Sequence, residues 1–296
     1  MMDKEEILQR IPDGTKPLIT KGFHIVSPTA SWKDYKERIR ARELTPRFFG
    51  GSDEWDRLES EFYQETDIVD IVMDAIEEAG DEKIVFDAHR GVCARLYAII
   101  RKWQPETIVA TGVYSGVATT AMLLGLEKND SGQLRSIAYA SELQGDESDT
   151  TLEPLYQRGR PSCSEHRSHL LPDGKEPGWI VPDRLCDRWE IYEGPSRERL
   201  PEIISDCAEI DLFYHDSELS TASTLFEFEC AWGRLSDGGF IISPHIATND
   251  GFDIFVDERE CGSGVFYYDY LYLDEYDEPC SCGYIVNGPD PATGHR

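Results

Sequence analysis

The sequence predicts an α/β fold, a mostly parallel sheet with helices on both faces. Three observations carry this reading. Short apolar runs bounded by turn residues alternate with helical stretches from about residue 107 to 243. The first run, "TIVAT" (107–111), passes through a glycine turn directly into a helix. Two strand-like runs, "GVFYYDYLYL" (264–273) and "CGYIVNG" (282–288), close the chain with no helix between them, which predicts an antiparallel edge.

Residues 1 to about 50 carry Pro, Gly and charge clusters with weak periodicity, and an irregular or short-helical arm is expected there. Residues 54–80 have apolar positions at helical spacing and stop at Gly80. Residues 81–105 repeat the pattern, with Ile84, Ala88, Val92, Leu96, Ile100 and Trp103 on one face and Pro105 as the stop. The expected division is therefore a helical N-terminal extension over 1–80 and an α/β domain over 81–296. Within that domain, strands are expected at 107–111, 134–140, 189–194, 210–216 and 238–243. Helices are expected at 117–127, 196–207 and 222–235, with a further helical stretch near 249–258. A long polar region, 144–187, reads as a loop or small insertion.

Composition narrows the function. The chain has 296 residues and a formal net charge of −28, with acids spread along its length and basic residues that are mostly Arg. Such a charge repels phosphate backbones, so no nucleic-acid partner is expected. Diffuse acidity with little lysine fits a halophilic protein, an acidic chain kept soluble in molar salt as in a haloarchaeal cell; the plainer alternative is an acidic protein of ordinary habitat. No run reaches the length of a membrane span, and the charged N-terminus lacks an apolar signal core, so a cytoplasmic location is expected. The eight cysteines are then expected as reduced thiols, with Cys93, Cys207 and Cys230 as small core residues. Cys163, His166 and His169 have ligand-like spacing, as do Cys280 and Cys282, but no fourth ligand completes a zinc set, and no metal is expected.

The glycine turn reads Thr111-Gly112-Val113-Tyr114-Ser115-Gly116. It is not a P-loop, since no Gly-Lys-Ser/Thr follows. Tyr114 and Val117 stand where a dinucleotide fingerprint needs glycines, which disfavours a nicotinamide-dependent oxidoreductase. Two glycines alone also serve any tight strand-to-helix turn. Its place, after the first strand of the alternating region, is where open α/β sheets hold ligands. "SIAYASEL", "YEGPS" and "YHDSELS" fall at the neighbouring strand ends.

With these stretches in view, the chain resembles the class I S-adenosylmethionine-dependent methyltransferases, in the branch related to sugar and small-molecule O-methyltransferases. The match is carried by "ATGVYSGVATTAMLLGLEKNDSGQLRSIAY", "LPDGKEPGWIVPDRLCDRWEIYEGPSRERLP", "IDLFYHDSELSTASTLFEFECAWGRLSDGGFIIS" and "CGYIVNG", over roughly residues 90–288. The resemblance implies a Rossmann-like seven-stranded methyltransferase sheet with a reversed last strand. It also implies S-adenosyl-L-methionine as cofactor and transfer of its methyl group to a hydroxyl or carboxyl of a small molecule or glycan sugar. By the same resemblance, Thr111, Gly112, Val113, Tyr114, Ser115 and Gly116 wrap the methionine part of the cofactor. The Ser136–Glu142 region meets the ribose, and Gly194 and Ser196 lie beside the adenine. His215, Asp216 and Ser217 face the transferred methyl.

The chain departs from the family pattern at four places. Ala110 stands where Glu is common, Ser136-Ile137-Ala138 where Asp is common, Leu219 where His is frequent, and Ser243-Pro244-His245 where a pair of Asp is frequent. Glu142 is a candidate replacement for the ribose acid, against the plainer reading of a solvated loop acid. His215 or His245 could serve as base, with Asp216 orienting the base or holding the acceptor hydroxyl. His215 could equally be a strand-end residue bonded to backbone. The departures keep a second function open, a catalytically inactive binding or regulatory protein on the same fold. A homo-oligomer is allowed by either.

The charge argument is directly testable. Between about 0.1 M and 1 M KCl the screening length falls from about 10 Å to 3 Å. The melting temperature of the purified chain is expected to rise across that range, and a scanning-calorimetry series in KCl checks it.

Overall fold

In the computed structural model the described residues are 32–79, 92–138, 171–172, 174–259, 261–273 and 276–294. The chain runs α1 (Trp32–Phe48), α2 (Ser52–Glu65), α3 (Ile68–Ala79) and α4 (Val92–Trp103), then β1 (Thr107–Thr111), α5 (Val117–Asn129) and β2 (Gln133–Ala138). A short 3₁₀ helix (Asp183–Arg188) leads into β3 (Trp189–Glu193) and α6 (Ser196–Asp206). β4 (Ile210–His215), α7 (Thr221–Trp232), β5 (Leu235–Pro244), α8 (Gly251–Asp257), β6 (Gly262–Leu273) and β7 (Tyr276–Val286) complete it. The seven strands form one sheet in the order β3-β2-β1-β4-β5-β7-β6. β1 to β5 pair in parallel, and β7 runs antiparallel between β5 and β6. The reversed last strand implied by the resemblance is therefore present.

The two faces of the sheet follow from the period-2 alternation of side chains along each strand. Ile108 and Ala110, Leu212 and Tyr214, Phe240 and Ile242, and Tyr284 and Val286 join one apolar cluster with α1 to α5. The residues between them, Val109, Phe213, Ile241 and Ile285, join a second cluster with α6, α7 and α8. Central strands buried on both sides read as continuous apolar runs, which is why "TIVAT" and "IDLFYH" were legible as strands. β3 is the exposed edge of the sheet.

Three expectations change. The arm expected over 1–50 contains the 17-residue helix α1. Its periodicity is weak, and its place is set by tertiary contacts: Thr45 Oγ1 donates to the Phe266 carbonyl at 2.5 Å, and Phe48 sits in a ring cluster. The single helix expected over 54–80 is two, α2 and α3, parted at Thr66. The Thr66 hydroxyl donates to the Phe62 carbonyl at 2.5 Å and accepts from the Ile68 amide at 3.4 Å, closing one helix and opening the next. The helix expected over 81–105 is described from Val92 to Trp103, and residues 80–91 lie outside the described residues. So does most of the insertion expected at 144–187; its described end, from 174, makes turns and the 3₁₀ helix.

The N-terminal helices share the first cluster with the sheet. Phe48 lies 4.5 Å from Tyr284, 5.0 Å from Trp103, 5.5 Å from Phe266 and 5.7 Å from Phe240, centroid to centroid. Glu61 on α2 accepts from the Tyr97 hydroxyl at 2.6 Å and from Arg101 Nε at 2.5 Å, both on α4. Burial pushes the Glu61 carboxyl up, but these bonds outweigh it and hold the group below its ordinary value. Cys93 and Cys207 are buried and Cys230 is half-buried, as small core thiols. Among the described residues no helix is long and apolar enough to cross a membrane.

Because Phe48 pins α1 to three strands and α4, Phe48→Ala is expected to cost about 3–5 kcal/mol of stability. Ile254→Ala, at a position 37% exposed, is expected to cost under 1 kcal/mol or about that. Denaturant unfolding in high salt measures both.

Candidate functional site

The site begins where β1 ends. The Gly112 amide donates to the Ile137 carbonyl at 3.0 Å, and the Asp216 amide donates to the Thr111 carbonyl at 2.9 Å, so the ends of β1, β2 and β4 are knitted together. Gly112 has φ +84°, and a Cβ there would lie 1.9 Å from the Asp216 carbonyl oxygen. Only glycine fits that approach. Tyr114, a non-glycine residue, also takes the left-handed conformation, at φ +48°. Residues 178–181 lie across the turn: the Gly178 amide donates to the Tyr114 carbonyl at 2.7 Å and the Ile180 amide to the Ser115 carbonyl at 3.2 Å. A Cβ on Gly116 would come within 2.8 Å of the Gly178 Cα. The second glycine of the turn thus serves backbone-to-backbone packing. Ser115 is fully buried beneath it.

Two cavities flank the turn. The first is bordered by Thr111, Gly112, Val113 and Tyr114, by Ile137 and Ala138 at the end of β2, by Gly194 and Ser196, and by Pro177 and Ser217, and its interior volume is about 20 Å³. Gly112, Ala138 and Ser196 therefore border one small cavity. The second, with an interior volume of about 10 Å³, shares Gly112, Val113 and Tyr114 as a wall. Val92, Cys93, Ala118, Tyr214, Asp216 and Pro244 form the rest of it.

Beneath the first cavity lies a buried carboxylate that sequence reading missed. Glu227, on α7, is fully buried. It accepts from Thr111 Oγ1 at 2.6 Å and Ser217 Oγ at 2.7 Å, and its Oε2 is 2.7 Å from His215 Nδ1. Burial pushes the Glu227 carboxyl up; the charge of His215 and hydrogen bonds from His215, Ser196 and Thr111 outweigh it and hold the group below its ordinary value. The other ring nitrogen of His215 lies 3.3 Å from Thr224 Oγ1. Both nitrogens of His215 therefore point into the α7 side of the sheet. The available signal was an acid flanked by Phe226 and Phe228, but Glu229 beside Phe228 gives the same pattern and is not buried.

Asp216 lies on the other side of the turn. The Tyr214 hydroxyl donates to its Oδ2 at 3.1 Å, and His245 Nε2 stands 3.9 Å from its Oδ1. His245 is buried with φ +60°, and its amide donates to the Ser281 carbonyl at 2.6 Å. The structure thus brings Asp216 and His245 together and turns His215 away from them. Of the cofactor-binding candidates, Thr111, Gly112, Val113, Tyr114, Gly194 and Ser196 border the first cavity. Ser115 and Gly116 support the turn, and Glu142 lies outside the described residues.

The family comparison agrees with this geometry. Residues 109–243 match the family model described as a methyltransferase domain. Over this stretch the chain is similar to methyltransferase domains. It runs from β1 to β5 and includes the turn, Asp216 and Glu227. The O-methyltransferase from Bacillus cereus in complex with SAH is similar at 12% identity, over 86% of this chain and 99% of that one, with a TM-score of 0.45. The O-methyltransferase TomG from Streptomyces achromogenes, involved in tomaymycin synthesis and in complex with SAM, is similar at 12% identity, over 85% and 99%, with a TM-score of 0.45. No curated protein matches the chain.

The residues bordering the first cavity fit S-adenosylmethionine in their chemistry. The cavity's apolar end, Ile137 and Ala138, suits an aromatic base, and the buried carboxylate of Glu227 one bond below its hydroxyls suits a sulfonium cation. Among the described residues no group of His, Cys, Asp and Glu is placed to hold a metal ion.

The depressed Glu227 carboxyl makes stability depend on pH with a definite sign. Its folded value lies below its unfolded value, so its contribution is complete above the ordinary carboxylate value of 4.5 and is lost as pH falls through the folded value. Glu61 has the same sign. Glu227→Gln is expected to flatten, without abolishing, the loss of stability below about pH 4.5, which denaturant midpoints across pH measure.

Proposed function

We propose that this protein transfers the methyl group of S-adenosylmethionine to a hydroxyl of a small molecule held in the second cavity. The observation that supports it is the pair of adjacent cavities divided by Gly112, Val113 and Tyr114, with Asp216 bordering the second and not the first. The cofactor, when bound, would supply an electrophilic methyl to the acceptor oxygen, in line with its thioether as the leaving group. Thr111 to Tyr114 would hold the methionine part, and Gly194 and Ser196 would lie beside the adenine. Asp216 accepts the hydrogen bond of the acceptor hydroxyl and aims its oxygen at the turn. The acceptor proton passes to Asp216 or His245, whose facing atoms are 3.9 Å apart, and from there to solvent. His215, with both nitrogens engaged behind the site, serves position.

The walls of the second cavity favour a hydroxyl over a carboxyl. An anionic acceptor would stand against Asp216 with no cationic side chain among the bordering residues. Tyr114, Tyr214, Val113 and Pro244 offer apolar and aromatic faces, which suit the C–H face of a sugar or a ring. A glycan sugar remains the favoured acceptor class on the family resemblance. The inactive binding protein is the second reading, and one observation favours it: no carboxylate borders the first cavity among the described residues.

Titration calorimetry in concentrated KCl separates the two. Micromolar binding of S-adenosylmethionine and of its demethylated product is expected, and no binding up to millimolar concentration would establish the second reading. In a radiolabel transfer assay on hydroxylated acceptors, Asp216→Asn is expected to lower kcat by about 10²–10⁴ while leaving cofactor affinity unchanged.

A further inference from the structure

The three aliphatic hydroxyl side chains that border the first cavity, Thr111, Ser196 and Ser217, come from three separate elements: the end of β1, the start of α6 and the loop after β4. Two of them bond to one carboxylate: Thr111 donates to Glu227 at 2.6 Å and Ser217 at 2.7 Å. His215 adds a third contact, at 2.7 Å. Glu227 does not itself border the cavity. It reaches the cavity floor from α7, which is 116 residues from Thr111 along the chain.

We propose that Glu227 is the positioning residue of the cofactor cavity. A rotatable hydroxyl can turn its single proton either toward a ligand or away from it. A buried ionised carboxylate accepts and cannot donate, so it fixes the Thr111 and Ser217 protons downward. The oxygen lone pairs are then presented upward as one set of acceptors toward the ligand's hydroxyl and amino protons. Acceptors at the cavity floor are what Ala110 and Ser136-Ile137-Ala138, at the tips of β1 and β2, do not supply. Glu227 thus gives the floor its acceptor character from behind. Its ionised state is maintained in the same network by His215. The inference rests on the cofactor reading above and assigns it a residue that contacts neither cofactor nor acceptor.

Glu227→Gln keeps the shape but can donate as well as accept, so at least one hydroxyl must reverse. Calorimetry in concentrated KCl is expected to show affinity for S-adenosylmethionine and for S-adenosylhomocysteine falling together by roughly tenfold to a hundredfold. Cooperative unfolding is expected to persist. Phe255→Leu, in the same apolar cluster and away from the network, should lower the melting temperature and leave both affinities as in the wild type. Ser217→Ala should weaken binding in the wild-type background and add little on top of Glu227→Gln, because both act on one network. Wild-type affinity in Glu227→Gln, or fully additive losses, would overturn the proposal. Should Glu227→Gln fail to fold, the same coupling is read between Thr111→Val and Ser217→Ala, where additivity again overturns it. A wild-type protein that binds neither compound fails the methyl-transfer reading itself, before any variant is made, and removes the positioning role with it.

Discussion

No side chain can exist at position 112. The carbonyl of Asp216 occupies the place a Cβ would take, 1.9 Å from its ideal position. That single approach lets β1 and β4 converge at their C-terminal ends, and the rest of the site is built around it. It carries the turn across the top of the sheet and places Tyr114 between the two cavities. It also brings Thr111 and Ser217 close enough to share one carboxylate. Gly116 makes a matching concession to Gly178, so the turn is held from above as well as from below.

A charge buried as deeply as that of Glu227 is costly unless it is fully paired, because low-polarity surroundings do not solvate it. Here each oxygen has a hydroxyl donor, and Oε2 also faces an imidazole. The network spans the point where parallel β1 and β4 lie side by side and where α7 crosses behind them. Such an arrangement stabilises one geometry strongly and tolerates few others. Rigidity at the cavity floor follows from the same bonds that hold the fold together there, so stability and site geometry are one property at this place.

Acidity is distributed differently at the surface and in the site. The formal net charge is −28, and of the described acids Glu61, Asp216, Glu227 and Asp290 are buried while the rest reach solvent, where salt screens them. The site holds few charges, and those it holds are sheltered. Asp216 and Glu227 lie on opposite sides of the strand end, one toward the second cavity and one toward α7. Neighbours in sequence alternate between faces of a sheet, which is why His215 and Asp216 have separate surroundings: His215 meets Glu227 and Thr224, while Asp216 meets Tyr214 and His245.

Strand and helix periodicity is a local property, and it was readable. The runs at 107–111, 189–194 and 210–216, the turn at 111–116 and the antiparallel close of the sheet all followed from residue type and spacing. α1 and the break at Thr66 were not readable, because the first is held by rings on β6 and β7 and the second by a single hydroxyl. The candidates Thr111 to Gly116, Gly194, Ser196 and Asp216 could be chosen because strand ends in such sheets converge on one edge. Glu227 could not be assigned from order alone. Its contact with Thr111 depends on how far α7 is rotated about its axis and how closely it lies against β4. Those quantities are set by packing of residues more than a hundred positions apart, and only the folded chain specifies them.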